Sequence, residues 1–199
     1  PPDSGNKDVV IDEVECLNGL ADAINVTDGA GAKSHMSALA TAAILAQNGI
    51  EPILQFTTRD RNRIAIQGDL LGGWALDIPN ILCLYGDEVK GGDQPDTKEV
   101  RDLDTIGILR TAHEIKTKKM YPSGRKINDA PEFFIGGADT PFKANNDFDG
   151  SNLIKKIEAG VEFFQTQYAF DENILKNYML KLNDLHITDK AYFIIGLGV

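Results

Sequence analysis

Two glutamines set two apart in an otherwise apolar run, Gln165 and Gln167 in Phe163–Gln167, are residues whose type and spacing ask for a chemical reason. Strands of a parallel sheet covered on both faces are normally aliphatic throughout, yet several runs in this chain turn polar at their carboxyl ends. Side chains two apart on a strand share a face. That parity groups Gln165 with Gln167, Gln55 with Thr57, Asn25 with Thr27, and Tyr85 with Asp87. A buried amide or carboxylate without partners is costly, so these tips must bond to one another as a polar plug, to water, or to a ligand. A plug accounts for one or two such residues better than for a whole ring, and a ligand is the favoured reading. Gly86 lets the backbone approach a bound group closely, and Asp87 beside it could hold a ligand amide, act as a base, or tune a cofactor.

Other chemistry is thinly supported. Gly29-Ala30-Gly31-Ala32-Lys33-Ser34 lacks the spacing of a phosphate loop, and no G-x-G-x-x-G occurs. His35, His113 and His186 lie far apart without ligand spacing, so no metal site is expected. His113 reads as part of a solvated helical face, and His186 as a residue past a helix end. Arg59-Asp60-Arg61-Asn62-Arg63 reads as a solvated, alternating-charge lead into a helix, with an anion contact from Arg59 as the lesser reading. Lys155 and Lys156 open a helix beside Asn152, where free amides attract anions, although an ordinary exposed pair fits equally well. Cys16 and Cys83 show no C-x-x-C and read as reduced, packed thiols. Trp74 beside Gly72-Gly73 reads as helix packing.

The elements that must position these residues alternate regularly. Helices are predicted at Val9–Leu20, His35–Asn48, Asn62–Ala75, Asp104–Thr117, Ser151–Ala159 and Glu172–Leu185, with Val10, Val14 and Leu17 on one stripe of the first. Ser34 and Ser151 read as N-caps, Gly49 and Gly160 as C-caps. Short apolar strands are predicted at Ala23–Thr27, Pro52–Thr57, Ile81–Leu84, Phe133–Gly136, Phe163–Gln167 and Tyr192–Gly196. Alternation of this kind is the mark of βα units on a parallel sheet. With a helix first and a strand last, the pattern fits one α/β domain, a (β/α)8 TIM barrel truncated at both ends, better than an open doubly wound sheet. The loops Glu88–Leu103 and Asp139–Gly150 follow strands and so fall on the face where such folds place their sites. Lys118–Pro131 follows a helix and falls on the opposite face.

The chain has 199 residues, 42% of them hydrophobic and 25% charged, with a formal charge of −10. That charge disfavours nucleic acid and anionic lipid as partners. No apolar run reaches the roughly 18 residues of a membrane span, and the expectation is a soluble, cytoplasmic protein.

Taken in order, N-V-T-D-G at Asn25–Gly29, Q-F-T-T-R-D-R-N at Gln55–Asn62, L-Y-G-D at Leu84–Asp87 and Q-T-Q-Y-A-F-D at Gln165–Asp171 resemble the methylenetetrahydrofolate reductase family. The resemblance implies a flavoprotein oxidoreductase of one-carbon metabolism and methionine biosynthesis. Its barrel would hold FAD, reduced by NAD(P)H or another electron donor, and convert 5,10-methylenetetrahydrofolate to 5-methyltetrahydrofolate. It implies that Asp87 acts near flavin and folate, that Gln167 hydrogen-bonds the substrate or the nicotinamide, and that Thr27, Gln55, Tyr85, Gly86, Asp87, Asp149, Asn152 and Lys156 contact FAD. Gln55 stands where well-known members carry histidine, and Tyr85 where they carry arginine, which removes a positive charge. The family's catalytic glutamate would fall shortly before Pro1-Pro2, so these residues alone are expected to be inactive. Two other readings compete: a non-catalytic barrel subunit docking to a reductase or methyltransferase partner, and another pterin-binding barrel such as a methyltransferase. A homo-oligomer is compatible with each.

Overall fold

Every apolar run identified above becomes a strand, and the strands pair in chain order. The computed structural model describes residues 1–142 and 147–198. Strands β1 (Ile24–Val26), β2 (Pro52–Thr57), β3 (Asn80–Leu84), β4 (Phe134–Asp139), β5 (Phe163–Ala169) and β6 (Tyr192–Leu197) form one sheet in the order β1-β2-β3-β4-β5-β6. Each adjacent pair is parallel. A doubly wound sheet reverses its order at a switch point; this one never does.

The sheet is also strongly curled. Neighbouring strands lie about 4.8 Å apart, which would separate β1 from β5 by roughly 19 Å in a flat sheet. Instead Asn25 Nδ2 on β1 donates to Gln165 Oε1 on β5 at 2.6 Å. Among the described residues the architecture is therefore a half-barrel of six parallel strands with six helices, α1 (Lys7–Val14), α2 (Ala38–Gln47), α3 (Arg63–Ala75), α4 (Thr105–Lys118), α5 (Ser151–Glu158) and α6 (Glu172–Asp184).

Strand parity divides the side chains between two environments. Leu54, Phe56, Ile81, Cys83, Ile135 and Phe164 project outward into a buried core with Leu45, Ile66, Leu70, Ile108, Leu109, Ile115 and Leu182 of the helices. Their alternates Gln55, Leu82, Leu84, Ala138 and Gln165 line the concave interior. Below them the fully buried Phe163 ring fills the space left by Gly136, where an added Cβ would lie 2.3 Å from Phe163 Cζ. Trp74 packs edge-on against Phe133 with ring centroids 5.5 Å apart, as expected of a packing residue.

Several local expectations are corrected. The N-cap of α2 is Ser37, whose Oγ accepts from Ala40 N at 3.1 Å, and not Ser34, whose hydroxyl accepts instead from Gln94 Nε2 at 3.0 Å. Ser151 is the first residue of α5 rather than its cap; its amide donates to Asp149 Oδ1 at 2.9 Å. The first helix ends at Val14 and tightens into a 3-10 turn over Glu15–Leu17, so Cys16 is exposed rather than packed. Gly49 and Gly160 do follow α2 and α5 in left-handed conformations, φ +74 and +109. Strand β4 runs on to Asp139, and residues 143–146 of the following loop lie outside the described residues, as does Val199. Among the described residues no helix is long and apolar enough to cross a membrane.

Candidate active site

The polar strand tips converge. Asn25, Thr27, Gln55, Thr57, Tyr85, Gly86, Asp87, Gln165 and Gln167 all line one cavity of about 770 Å³ in the curl of the sheet. Only part of this ring is self-satisfied. Asn25 and Gln165 bond to each other, and the Thr57 hydroxyl donates to Asp28 Oδ2 at 2.8 Å. Among the described residues the side chains of Thr27, Gln55 and Gln167 have no hydrogen-bond partner, and neither does the Tyr85 hydroxyl, which leaves donors and acceptors open toward the cavity. The bond between Asn25 and Gln165 plugs the ring in part only, since Asn25 Oδ1 is buried without a partner among the described residues.

Loops after three strands fix the rim. Asp28, buried after β1, accepts from Thr57 N at 2.9 Å and from Arg61 Nη1 at 2.6 Å and Nη2 at 3.2 Å. Arg61 also donates to Asp69 at 3.0 Å. Asp60, Asn62 and Arg63 are exposed as a solvated segment would be, but Arg59 is only 4% exposed, so that reading is corrected for Arg59. Its guanidinium donates to both Asp60 oxygens at 2.8 and 2.7 Å, to Gly29 O at 3.1 Å and to Asp87 O at 3.3 Å. With its charge matched by Asp60, Arg59 ties loops together. Pairing across the chain, which neither periodicity nor spacing could reveal, buries it.

The turn Tyr85-Gly86-Asp87 is shaped by its glycine. Gly86 has φ +87, and an added Cβ would meet Thr57 Cβ at 3.1 Å and Arg59 Cβ at 3.2 Å. Tyr85 is backed by a residue that the sequence reading missed. Arg101, in the long loop after β3, lays its guanidinium 3.7 Å from the Tyr85 ring centroid and donates to Tyr85 O at 2.7 Å. An arginine sixteen positions away in an aperiodic loop carries no sequence signal of this contact.

Three expected residues lie outside the cavity lining. Asp149 spends its carboxylate on the Ser151 amide, which holds it below the usual carboxylate range. Asn152 is exposed on the first turn of α5. Lys156 reaches the cavity wall from behind: its Nζ donates to Ala138 O at 2.5 Å, and Ala138 lines the cavity. Burial lowers the Lys156 ammonium, opposed by the charge of nearby Asp139. Burial likewise raises the Asp139 carboxyl, against a hydrogen bond from Tyr178 Oη at 3.0 Å.

The histidines stay apart. His35 pairs with Asp3 at 2.5 Å and His186 with Asp189 at 2.9 Å, while His113 is half-buried and packs against Gly160 rather than facing solvent. Among the described residues no group of three or more His, Cys, Asp or Glu side chains gathers as a metal set would.

A family model described as methylenetetrahydrofolate reductase matches residues 2–194, nearly the whole chain. No curated protein matches it.

Proposed function

The chain belongs to the methylenetetrahydrofolate reductase family, whose chemistry is folate-related one-carbon reduction, and from that premise we propose that it serves the flavin-dependent reduction of 5,10-methylenetetrahydrofolate to 5-methyltetrahydrofolate. The half-barrel is then part of an eight-unit barrel forming one domain, and the electron donor is NAD(P)H or another reductant. The observation that carries the reading is the convergence of amide, hydroxyl and acid tips from four strands on one cavity.

The residues present suit FAD unevenly. A cavity of about 770 Å³ with unpaired amides and the flat Tyr85 ring suits a planar ring system with a polar edge. Thr27, Gln55, Tyr85 and Gly86 would hold that ring. Asp149, Asn152 and Lys156, on the neighbouring β4–α5 side, would meet the rest of the dinucleotide, the Lys156 ammonium facing its diphosphate. When bound, FAD would supply the two electrons that turn the methylene group into a methyl group.

The chain's own side chains do the rest. Asp87 presents a carboxylate at the rim, and fixed negative charge there favours a substrate that becomes cationic as its five-membered ring opens. Its orientation is set beforehand by the Gly31 amide and by Arg59 on its carbonyl. Gln167, two residues above the Asn25–Gln165 bond, would orient the folate through its open carboxamide.

Purification of the chain and titration with FAD, followed by visible absorption, tests the reading. A saturable spectral change that 5,10-methylenetetrahydrofolate then perturbs is the expected result. A protein that binds the folate but no flavin would favour another pterin-binding barrel, and one that binds neither would favour a docking subunit.

A further inference from the structure

Arg101 adopts φ +40, a left-handed backbone conformation uncommon for a long side chain. Strain of this kind persists where the surroundings over-determine it, and the guanidinium shows what those surroundings are. Nη1 donates to Tyr85 O at 2.7 Å and Nη2 to Gly86 O at 3.3 Å. Nε and Nη2 donate to the Glu99 carboxylate at 2.5 and 3.1 Å. The flat face of the group covers the Tyr85 ring at 3.7 Å. Glu99 is itself fixed, accepting from Val89 N at 3.2 Å.

Because Glu99 matches the charge, the contribution of Arg101 to the site is chiefly geometric. Tyr85 is 50% exposed and lines the large cavity. It also lines a smaller cavity of about 260 Å³ that Arg101 and Glu99 share. The ring is thus a partition backed by a guanidinium on its far side. An aromatic side chain in a loop would otherwise sample several rotamers, and a ligand stacking on it would have to freeze them.

We infer that Arg101 is a positioning residue: it clamps Tyr85 as a rigid flat wall on which the planar ring of a flavin stacks. This rests on the flavin reading above. Lysine cannot substitute, having neither a planar face for the ring nor a fork for two carbonyls and a carboxylate.

Titration of the whole chain with FAD tests the inference, read as Kd and as the shape of the visible difference spectrum. Arg101→Lys is expected to weaken FAD about tenfold through lost preorganisation and to give the difference spectrum of Tyr85→Ala. The double variant should then bind no more weakly than Tyr85→Ala alone, since the two residues act as one unit. Glu99→Gln, which loosens the guanidinium from outside the large cavity, should move both readouts the same way by a smaller factor, and it decides the matter if Arg101→Lys does not fold. A purely structural role would lower the folded fraction without changing the spectrum of bound flavin. Unchanged affinity and spectrum in the variants, or losses that add in the double variant, overturn the inference while the flavin reading stands. Failure of the unaltered chain to bind FAD overturns both.

Discussion

The backbone amide of Gly31 donates to Asp87 Oδ2 at 2.7 Å, so the loop after β1 is pinned to the loop after β3 over the end of the intervening β2. Arg59, at that end of β2, ties the same two loops through Gly29 O and Asp87 O. Replacing Asp87 with alanine should leave the sheet intact and free the 28–37 loop. A hydrogen bond of this kind contributes about 1 kcal/mol, which corresponds to a roughly fivefold faster exchange of the Gly31 amide. Hydrogen exchange read by mass spectrometry on that loop checks it; unchanged protection would mean that Arg59 alone holds the loop.

A pair of alanine substitutions separates steric from backbone effects at the rim. Gly86 and Gly124 have nearly the same dihedral, φ +87 and +84, but an added Cβ meets Thr57 and Arg59 at the first and nothing within 4 Å at the second. Both variants carry the cost of a left-handed alanine, on the order of 1 kcal/mol. Gly86→Ala should lose about 1 kcal/mol more in urea unfolding, because the end of β2 must shift. Equal losses would show that the turn relaxes freely.

Two carboxyls should give stability slopes of opposite sign against pH. Glu99 is held down to about 2, first by its bond from Arg101 and then by the Val89 amide. Its contribution is present above the ordinary glutamate value of about 4.3 and is lost as pH falls through about 2. Asp139 is raised, chiefly by burial, so its contribution is present below the ordinary aspartate value of about 3.9 and is lost as pH rises through its elevated folded value. Relative to the parent, Glu99→Gln should therefore be less stable at neutral pH and converge in strong acid. Asp139→Asn should gain relative stability as pH rises above about 4. Urea midpoints across this range decide the matter, and parallel curves would contradict both assignments.

The thiols should differ sharply in reactivity. Burial pushes the Cys83 thiol up to about 12, whereas Cys16 is exposed. The thiolate is the reacting species, so a disulfide reagent at mildly alkaline pH should titrate one thiol in the native chain and two in urea. Two fast thiols in the native chain would mean that β3 opens readily.

What the sequence disclosed follows from what is periodic. Strand parity is a local property, so the inward set of Asn25, Thr27, Gln55, Thr57, Gln165 and Gln167 could be read from the chain, and it lines one cavity. The alternation of helix and strand likewise led to the parallel sheet, and its unreversed order set aside the doubly wound alternative. Contacts set by loops were not legible. The burial of Arg59, the capture of Arg61 by Asp28 and the reach of Arg101 to Tyr85 depend on chain segments meeting without any repeating pattern. Cys16 was misread because a 3-10 turn ends the helical stripe two residues earlier. Asp149, Asn152 and Lys156 fall beside the cavity rather than in it, since residues past a strand end are aimed by the loop and not by the pleat.

The Phe163 ring, seated in the hollow of Gly136 and stacked on Phe134 at 4.9 Å, stoppers the basin beneath the amides. With that floor taken by aromatic rings, the opening toward the amides lies at the carboxyl ends of the strands, so the shape of any guest is decided by the loops above and not by the barrel bottom.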